Sequence, residues 1–242
     1  MKKQYTFEEF TEIIRMLRSE NGCPWDKEQT HNSLKPCMTE EAAELLAAIR
    51  IYDTTGNYEN MREELGDILL QVVMHSRIAS EEGLFSIDDV ITEVSEKMIR
   101  RHPHVFGTVK ADTSDEVLSN WDDIKKKEKE SQSWGESPLR DIPIELPALV
   151  RAVKVLKKQD KLYEKTLDSR ETLAMLKDVI KDMENILEEP YEDKAKFENC
   201  YAKGLLLWSN IAMKNKISPE QVLTDEIEEI IDKYEPKNGK LP

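Results

Sequence analysis

Glu40-Glu41-Ala42-Ala43-Glu44 and Glu63-Glu64-Leu65-Gly66-Asp67 are two short acidic runs, each set inside an apolar pattern of helical period. Residues three apart on a helix share a face, so Glu41 with Glu44, and Glu64 with Asp67, each aim two carboxylates in one direction. Where two such helices pack, four carboxylates meet. A quartet of this kind repels itself, and either proton uptake or a divalent cation relieves the repulsion. Oxygen donors alone suit Mg²⁺, or Mn²⁺, better than zinc. Solvated acids are common on helix surfaces, and Glu40 and Glu41 would also be favoured near a helix N-terminus. The repetition of the run among Ala, Leu and Ile favours the cation site. So does the glycine in the second run, which costs a helix interior about 1 kcal/mol.

Outward from these runs the chain reads as all-α. Thr6-Phe7-Glu8-Glu9 is a capping-box pattern followed by Phe7, Phe10, Ile13, Ile14 and Leu17 at helical spacing, with Asn21-Gly22 as the stop. Cys23 to Pro36 has no sustained period and predicts a loop, after which a helix led by Thr39 carries the first acidic run. The second run opens the next helix, whose stripe of Met61, Leu65, Ile68, Val72 and Val73 continues to Ala79, with Gly83 as its stop. Ser86-Ile87-Asp88-Asp89 caps a further helix, with Val90, Ile91, Val94 and Met98 expected inward and its end before Pro103. Val117, Leu118, Trp121 and Ile124 mark one more. Val105 to Ala111 is the one β-leaning stretch, too short to support a sheet.

The 242 residues carry 35 Lys+Arg against 49 Asp+Glu, a net charge of −14. That balance argues against non-specific binding to nucleic acid or an anionic membrane surface and is compatible with cation binding. There is no signal pattern and no apolar run of the roughly 20 residues a bilayer requires, so a cytoplasmic protein is expected. Cys23, Cys37 and Cys200 are odd in number and lack CxxC spacing, which predicts free thiols. The Lys-rich run 125–130, followed by Ser, Gly and Pro, reads as the approach to a linker at 131–146. It separates a domain at 1–130 from a second helical bundle at 147–242, whose apolar-periodic segments are 146–156, 173–187, 197–213 and 227–234.

Lys97 and Arg101 lie four apart on one helix and can face the same way. Two cations near carboxylate-bound Mg²⁺ are what a polyphosphate requires, although basic residues are also favoured near a helix C-terminus. His102 and His104 flank Pro103 and make a poor zinc pair. Glu28-Gln29-Thr30-His31 has ExxH spacing, but a di-iron carboxylate bundle would need two copies.

Cys23-Pro24-Trp25-Asp26-Lys27-Glu28-Gln29-Thr30-His31, the EExxE run at Glu40, the ELGD run at Glu64, Lys97 with Arg101-His102-Pro103-His104-Val105-Phe106, and Trp121-x-x-x-Lys125 occur in this order. In that order they resemble MazG-type nucleoside triphosphate pyrophosphohydrolases over the first 130 residues or so. More weakly, Leu146 to Ala152 resembles the join between the two MazG repeats of longer members. The resemblance implies an all-α homodimer that uses Mg²⁺ to cleave nucleoside triphosphates to monophosphate and pyrophosphate. It implies Glu41, Glu44, Glu64 and Asp67 as metal ligands, Lys97 and Arg101 as phosphate contacts, and Trp121 with Lys125 as substrate contacts. Clustered carboxylates with Mg²⁺ can position and acidify a water for in-line attack on phosphorus, without a protein nucleophile. Glu41 would serve that water as a ligand of its metal, and Glu40 could orient it or accept its proton, or else cap its own helix. Trp121 and Trp25 are each open between substrate contact and packing, Trp25 as an anchor for its loop.

The second bundle lacks the acids. Its comparable segments are Lys177-Asp178-Val179-Ile180-Lys181 and Glu198-Asn199-Cys200-Tyr201-Ala202-Lys203, with Lys203 in place of the final aspartate. An ammonium buried there would replace and exclude a cation. Apolar periodicity through Leu205, Leu206 and Ile211 persists, which predicts a degenerate repeat that still packs. The competing class is a non-enzymatic helical regulator that keeps the fold for partner binding.

Overall fold

The computed structural model describes residues 3–111, 113–117, 120–121, 124, 128, 137–163, 167–188 and 193–235. The chain folds as two compact units, Met1–Lys127 and Glu128–Pro242. No strand occurs among the described residues, and none of the helices is long and apolar enough to cross a membrane. Leu118 and the residues 131–136 of the expected linker lie outside the described residues.

The first unit contains α1 (Phe7–Leu17), α2 (Pro24–Glu28), α3 (Lys35–Thr55), α4 (Glu59–Glu81), α5 (Ile87–Arg101) and α6 (Pro103–Phe106). The caps read from sequence form. Thr6 Oγ1 accepts from the Glu9 amide while Glu9 accepts from the Thr6 amide, and Ser86 and Asp89 repeat the arrangement at α5. Gly83 adopts φ +71°, the left-handed conformation that glycine takes without penalty, just beyond α4.

Three boundaries differ from the sequence reading. The segment after Cys23 contains α2, whose Pro24 sits at the first turn, where its missing N–H costs nothing. α3 starts at Lys35 and not at Thr39, because Pro36 is accommodated in the first turn and the Leu34 carbonyl accepts from the Met38 amide at 3.0 Å. Glu40 and Glu41 therefore lie beyond the first turn, which rules out Glu40 as a cap of its own helix. Residues 103–106 form a helical turn, with the His102 carbonyl accepting from Val105 and Phe106, so the β-leaning stretch makes no strand.

α4 organises this unit. Ile14, Leu34, Val73, Met74 and Ile78 form a buried core, with Phe7, Phe10, Leu17, Cys37, Leu70 and Ile87 packed around it. The C-terminal half of α4 is thus enclosed by α1, the start of α3 and the start of α5, while its N-terminal half packs against α3. Ile91 and Val94, expected inward on α5, are exposed, because within the single chain α5 turns little more than its first residues to the core.

The second unit holds α7 (Ala148–Tyr163), α8 (Ser169–Glu188), α9 (Lys194–Lys214) and α10 (Pro219–Tyr234), with α9 packed on α7 and α8. Its interior is smaller and more polar than the Leu pattern suggests. Leu205 and Leu206 are exposed, whereas Gly204, Ser209, Asn210 and Ala212 of α9 are buried. Asn210 Nδ2 donates to Thr172 Oγ1 at 2.7 Å, which satisfies two polar groups deep in the unit.

Candidate metal and substrate site

α3 and α4 are joined by three residues, with Gly56 at φ +73° closing α3, so the two helices return antiparallel along one another. In such a pair the earlier acid of one helix stands level with the later acid of the other. One oxygen each from Glu41, Glu64 and Asp67 lies within 4.8 Å of the other two. Glu64 is 9% exposed, Glu41 and Asp67 are half-buried, and Glu40 and Glu44 are exposed. Burial, then the charges of Asp67, Glu44 and Glu40, push the Glu41 carboxyl above the ordinary glutamate range. Burial, then Glu44, Asp67, Glu41 and Glu63, push Glu64 up in the same way. Asp67 is the leading carboxylate neighbour of Glu41, and Glu44 that of Glu64, which is the register the antiparallel hairpin dictates.

Such a cluster has unsatisfied affinity for positive charge. Three oxygens at this spacing, two on groups reluctant to ionise without compensation, fit a hard divalent cation. Glu44 adds negative field from outside the close trio. Gly66, on the opposite side of α4, has nothing within 4 Å of where a Cβ would stand among the described residues.

Lys97 is half-buried near the end of α5 and makes no ion pair among the described residues. The Arg101 guanidinium lies 5.4 Å from the centre of the Trp121 ring, and His102 meets the same ring edge-on at 5.0 Å. Trp121 thereby packs against one cation and one imidazole at the end of α5. His102 Nδ1 pairs with the Met98 carbonyl at 2.6 Å, which removes that nitrogen from any metal pair with His104. Trp25 is 61% exposed on α2, so its ring does not anchor the loop. Lys125 lies outside the described residues.

The anchor is Arg18, which the sequence did not single out. Its side chain, 6% exposed, donates to the carbonyls of Asp26 and Gln29 and to Glu81 Oε2 at 2.7 Å, tying α2 to α1 and α4. Two further features carried no readable signal in the sequence, the pairing of His31 with His75 and the burial of Gln71. His31 Nδ1 and His75 Nδ1 are 2.7 Å apart in stacked rings, so one donates and the other accepts. This contact engages the histidine of the ExxH spacing. Gln71 is 5% exposed, and its Oε1 has no hydrogen-bond partner among the described residues.

Residues 29–106 match the MazG nucleotide pyrophosphohydrolase domain. The nucleoside triphosphate pyrophosphohydrolase/pyrophosphatase MazG of Thermotoga maritima is 36% identical over 228 residues, covering 94% of this chain and 84% of that protein. The chain belongs to the MazG nucleotide pyrophosphohydrolase family. The nucleoside triphosphate pyrophosphohydrolase of Escherichia coli K12 is 47% identical over 147 residues, 60% of this chain and 54% of that one. YabN of Bacillus subtilis is 55% identical over 154 residues, 63% of this chain but 30% of YabN, so the chain spans under a third of that relative's length.

The second unit of this MazG-family chain gathers no comparable acids among its described residues. Lys177, Lys181 and Lys203 are exposed, so none is the buried ammonium that would replace a cation. An open groove between α8 and α9 is lined by Asp182, Asn185, Lys196, Asn199, Cys200 and Lys203, a mixed-charge set without a carboxylate cluster.

Proposed function

We propose that this chain hydrolyses nucleoside triphosphates to nucleoside monophosphate and pyrophosphate with Mg²⁺, for which Mn²⁺ substitutes. The observation that carries this reading is the convergence of the Glu41, Glu64 and Asp67 oxygens within 4.8 Å. When bound, the cation supplies charge to a polyphosphate and acidity to a water. Glu41, Glu64 and Asp67 hold it and Glu44 deepens the field around it. Glu40, exposed on the same stretch of α3, takes up the proton released from the attacking water. Lys97 and Arg101 bind phosphate oxygens, with Lys125 and the two indoles, Trp25 and Trp121, completing the contacts to the nucleotide.

The working assembly is a homodimer. Leu65 and Leu69 of α4, beside Gly66, and Ile91, Val94 and Ile99 of α5 are exposed apolar side chains that a second copy would cover. The second unit is a degenerate repeat without catalysis, which stabilises or regulates the first.

Incubating a nucleotide panel with Mg²⁺ and separating the products tests the reading. Monophosphate and pyrophosphate are expected in equal amounts. Diphosphate and phosphate would refute the bond assignment, and no turnover with any divalent cation would leave a helical regulator.

A further inference from the structure

Gln71 lies one turn beyond Asp67 on α4. At about 100° per residue it stands about 20° around the axis from Glu64 and about 40° from Asp67, between the two acids in azimuth. Side chains on a helix lean toward its N-terminus, so the Gln71 amide is carried back over the turn that bears Asp67. It is 5% exposed, and its Oε1 is buried without a hydrogen-bond partner among the described residues. A buried acceptor without a donor is rare in a folded protein.

The acids on the same face of α4 do not supply the donor once they are ionised. Ionised Glu41, Glu64 and Asp67 accept hydrogen bonds and have none to give. His75, the next polar residue along the stripe, has its Nδ1 engaged by His31. A donor from outside these side chains would satisfy Gln71 Oε1, and the carboxylate trio, which shares its face of α4, is a feature built to hold one. Water around a divalent cation is a polarised donor, and residues outside the ligand set that hold such groups tune affinity and geometry.

We propose that Gln71 is a positioning residue of this site, its Oε1 accepting a hydrogen bond from a water in the coordination shell of the cation held by Glu41, Glu64 and Asp67. The inference rests on the cation reading above and adds to it an acceptor that fixes where that water stands. An amide suits the role, since it offers an acceptor at all pH values without adding a fourth charge to the trio.

The test uses the full chain with Gln71→Leu, Gln71→Met as a second apolar variant, and Gln71→Glu, which keeps an acceptor. Mn²⁺ serves as the probe, read by calorimetric titration and by water-proton relaxation of the loaded protein, alongside cation-free thermal unfolding and steady-state kinetics. The apolar variants should melt at the same temperature or higher without cation, because an orphaned acceptor is removed. They should bind Mn²⁺ about 10- to 100-fold more weakly, alter the relaxation enhancement and lower kcat with little change in KM. Gln71→Glu should bind Mn²⁺ at least as tightly as the natural chain. Apolar variants that melt lower while Mn²⁺ affinity, relaxation and kcat stay unchanged would make Gln71 a packing residue and overturn the proposal. A natural chain that fails to bind Mn²⁺ at all would instead overturn the carboxylate reading beneath it.

Discussion

Arg18→Met should destabilise the first unit by about 3 kcal/mol. The methionine keeps most of the aliphatic stem in place and removes the guanidinium, so the loss reports on the polar contacts. Those contacts are the carbonyls of Asp26 and Gln29 and the Glu81 carboxylate, reached by a side chain 6% exposed. Hydrogen bonds to charged groups contribute about 1.5–3 kcal/mol each. The sum is held well below three such bonds for two reasons: Glu81, with 30% of its side chain exposed, keeps Arg77 at 2.9 Å, and water can reach the carbonyls of the short surface helix α2. For a unit spanning Met1–Lys127, an unfolding entropy of about 270 cal/mol/K converts 3 kcal/mol into a fall of about 11 °C in melting temperature. Amide exchange along α4 isolates this unit from the second, and thermal unfolding supplies the magnitude. Arg18→Met combined with Glu81→Gln should cost less than the sum of the two single changes, since the pair is in direct contact. A loss below about 1 kcal/mol, or strict additivity, would show that the clamp on α2 does not depend on Arg18.

Without cation, the carboxylate cluster should contribute a loss of stability as pH rises above the 4.5 of a free glutamate. Glu41 and Glu64 have folded values raised above that, so they keep protons that the unfolded chain has released, whereas His75, lowered by burial and by His31, contributes a slope of the opposite sign. Saturating Mg²⁺ should reverse the cluster's contribution and Glu64→Gln should reduce it; a cation-free pH dependence that Glu64→Gln leaves unchanged argues against the cluster. Gly66→Ala gains about 1 kcal/mol of helix propensity in an isolated helix, yet it should weaken self-association if a second copy approaches that face. Sedimentation showing an unaltered dimer together with higher stability would place the interface elsewhere. Lys97→Ala should lower kcat/KM for a nucleoside triphosphate at least tenfold, a loss of about 1.4 kcal/mol, while leaving Mn²⁺ affinity unchanged. Calorimetry showing lost affinity with normal kinetics at saturating metal would reassign Lys97 to the cation.

Features that depend on neighbours along the chain are legible in the residues alone. Thr6 with Glu9 and Ser86 with Asp89 start helices because a side-chain oxygen three residues from an amide can cap it in any context. Gly83 stops α4 because glycine tolerates the left-handed turn. The spacing of Glu41 with Glu44, and of Glu64 with Asp67, marks acidic faces for the same local reason. Tertiary structure decided what depends on which residues stand level across a helix pair, a quantity that spacing along one helix does not carry. The α3–α4 register brings Glu41 level with Asp67 and leaves Glu44 outside the close trio. The crossing of α1, α2 and α4 turns Arg18, one charged residue among many, into a buried clamp, and leaves Trp25 in solvent. Gln71 and His75 look like ordinary polar interruptions of an apolar stripe. Enclosure of the second half of α4 buries one as an acceptor without a partner among the described residues and makes the other the partner of His31, because burial is a property of the packed helices and not of the residues taken singly.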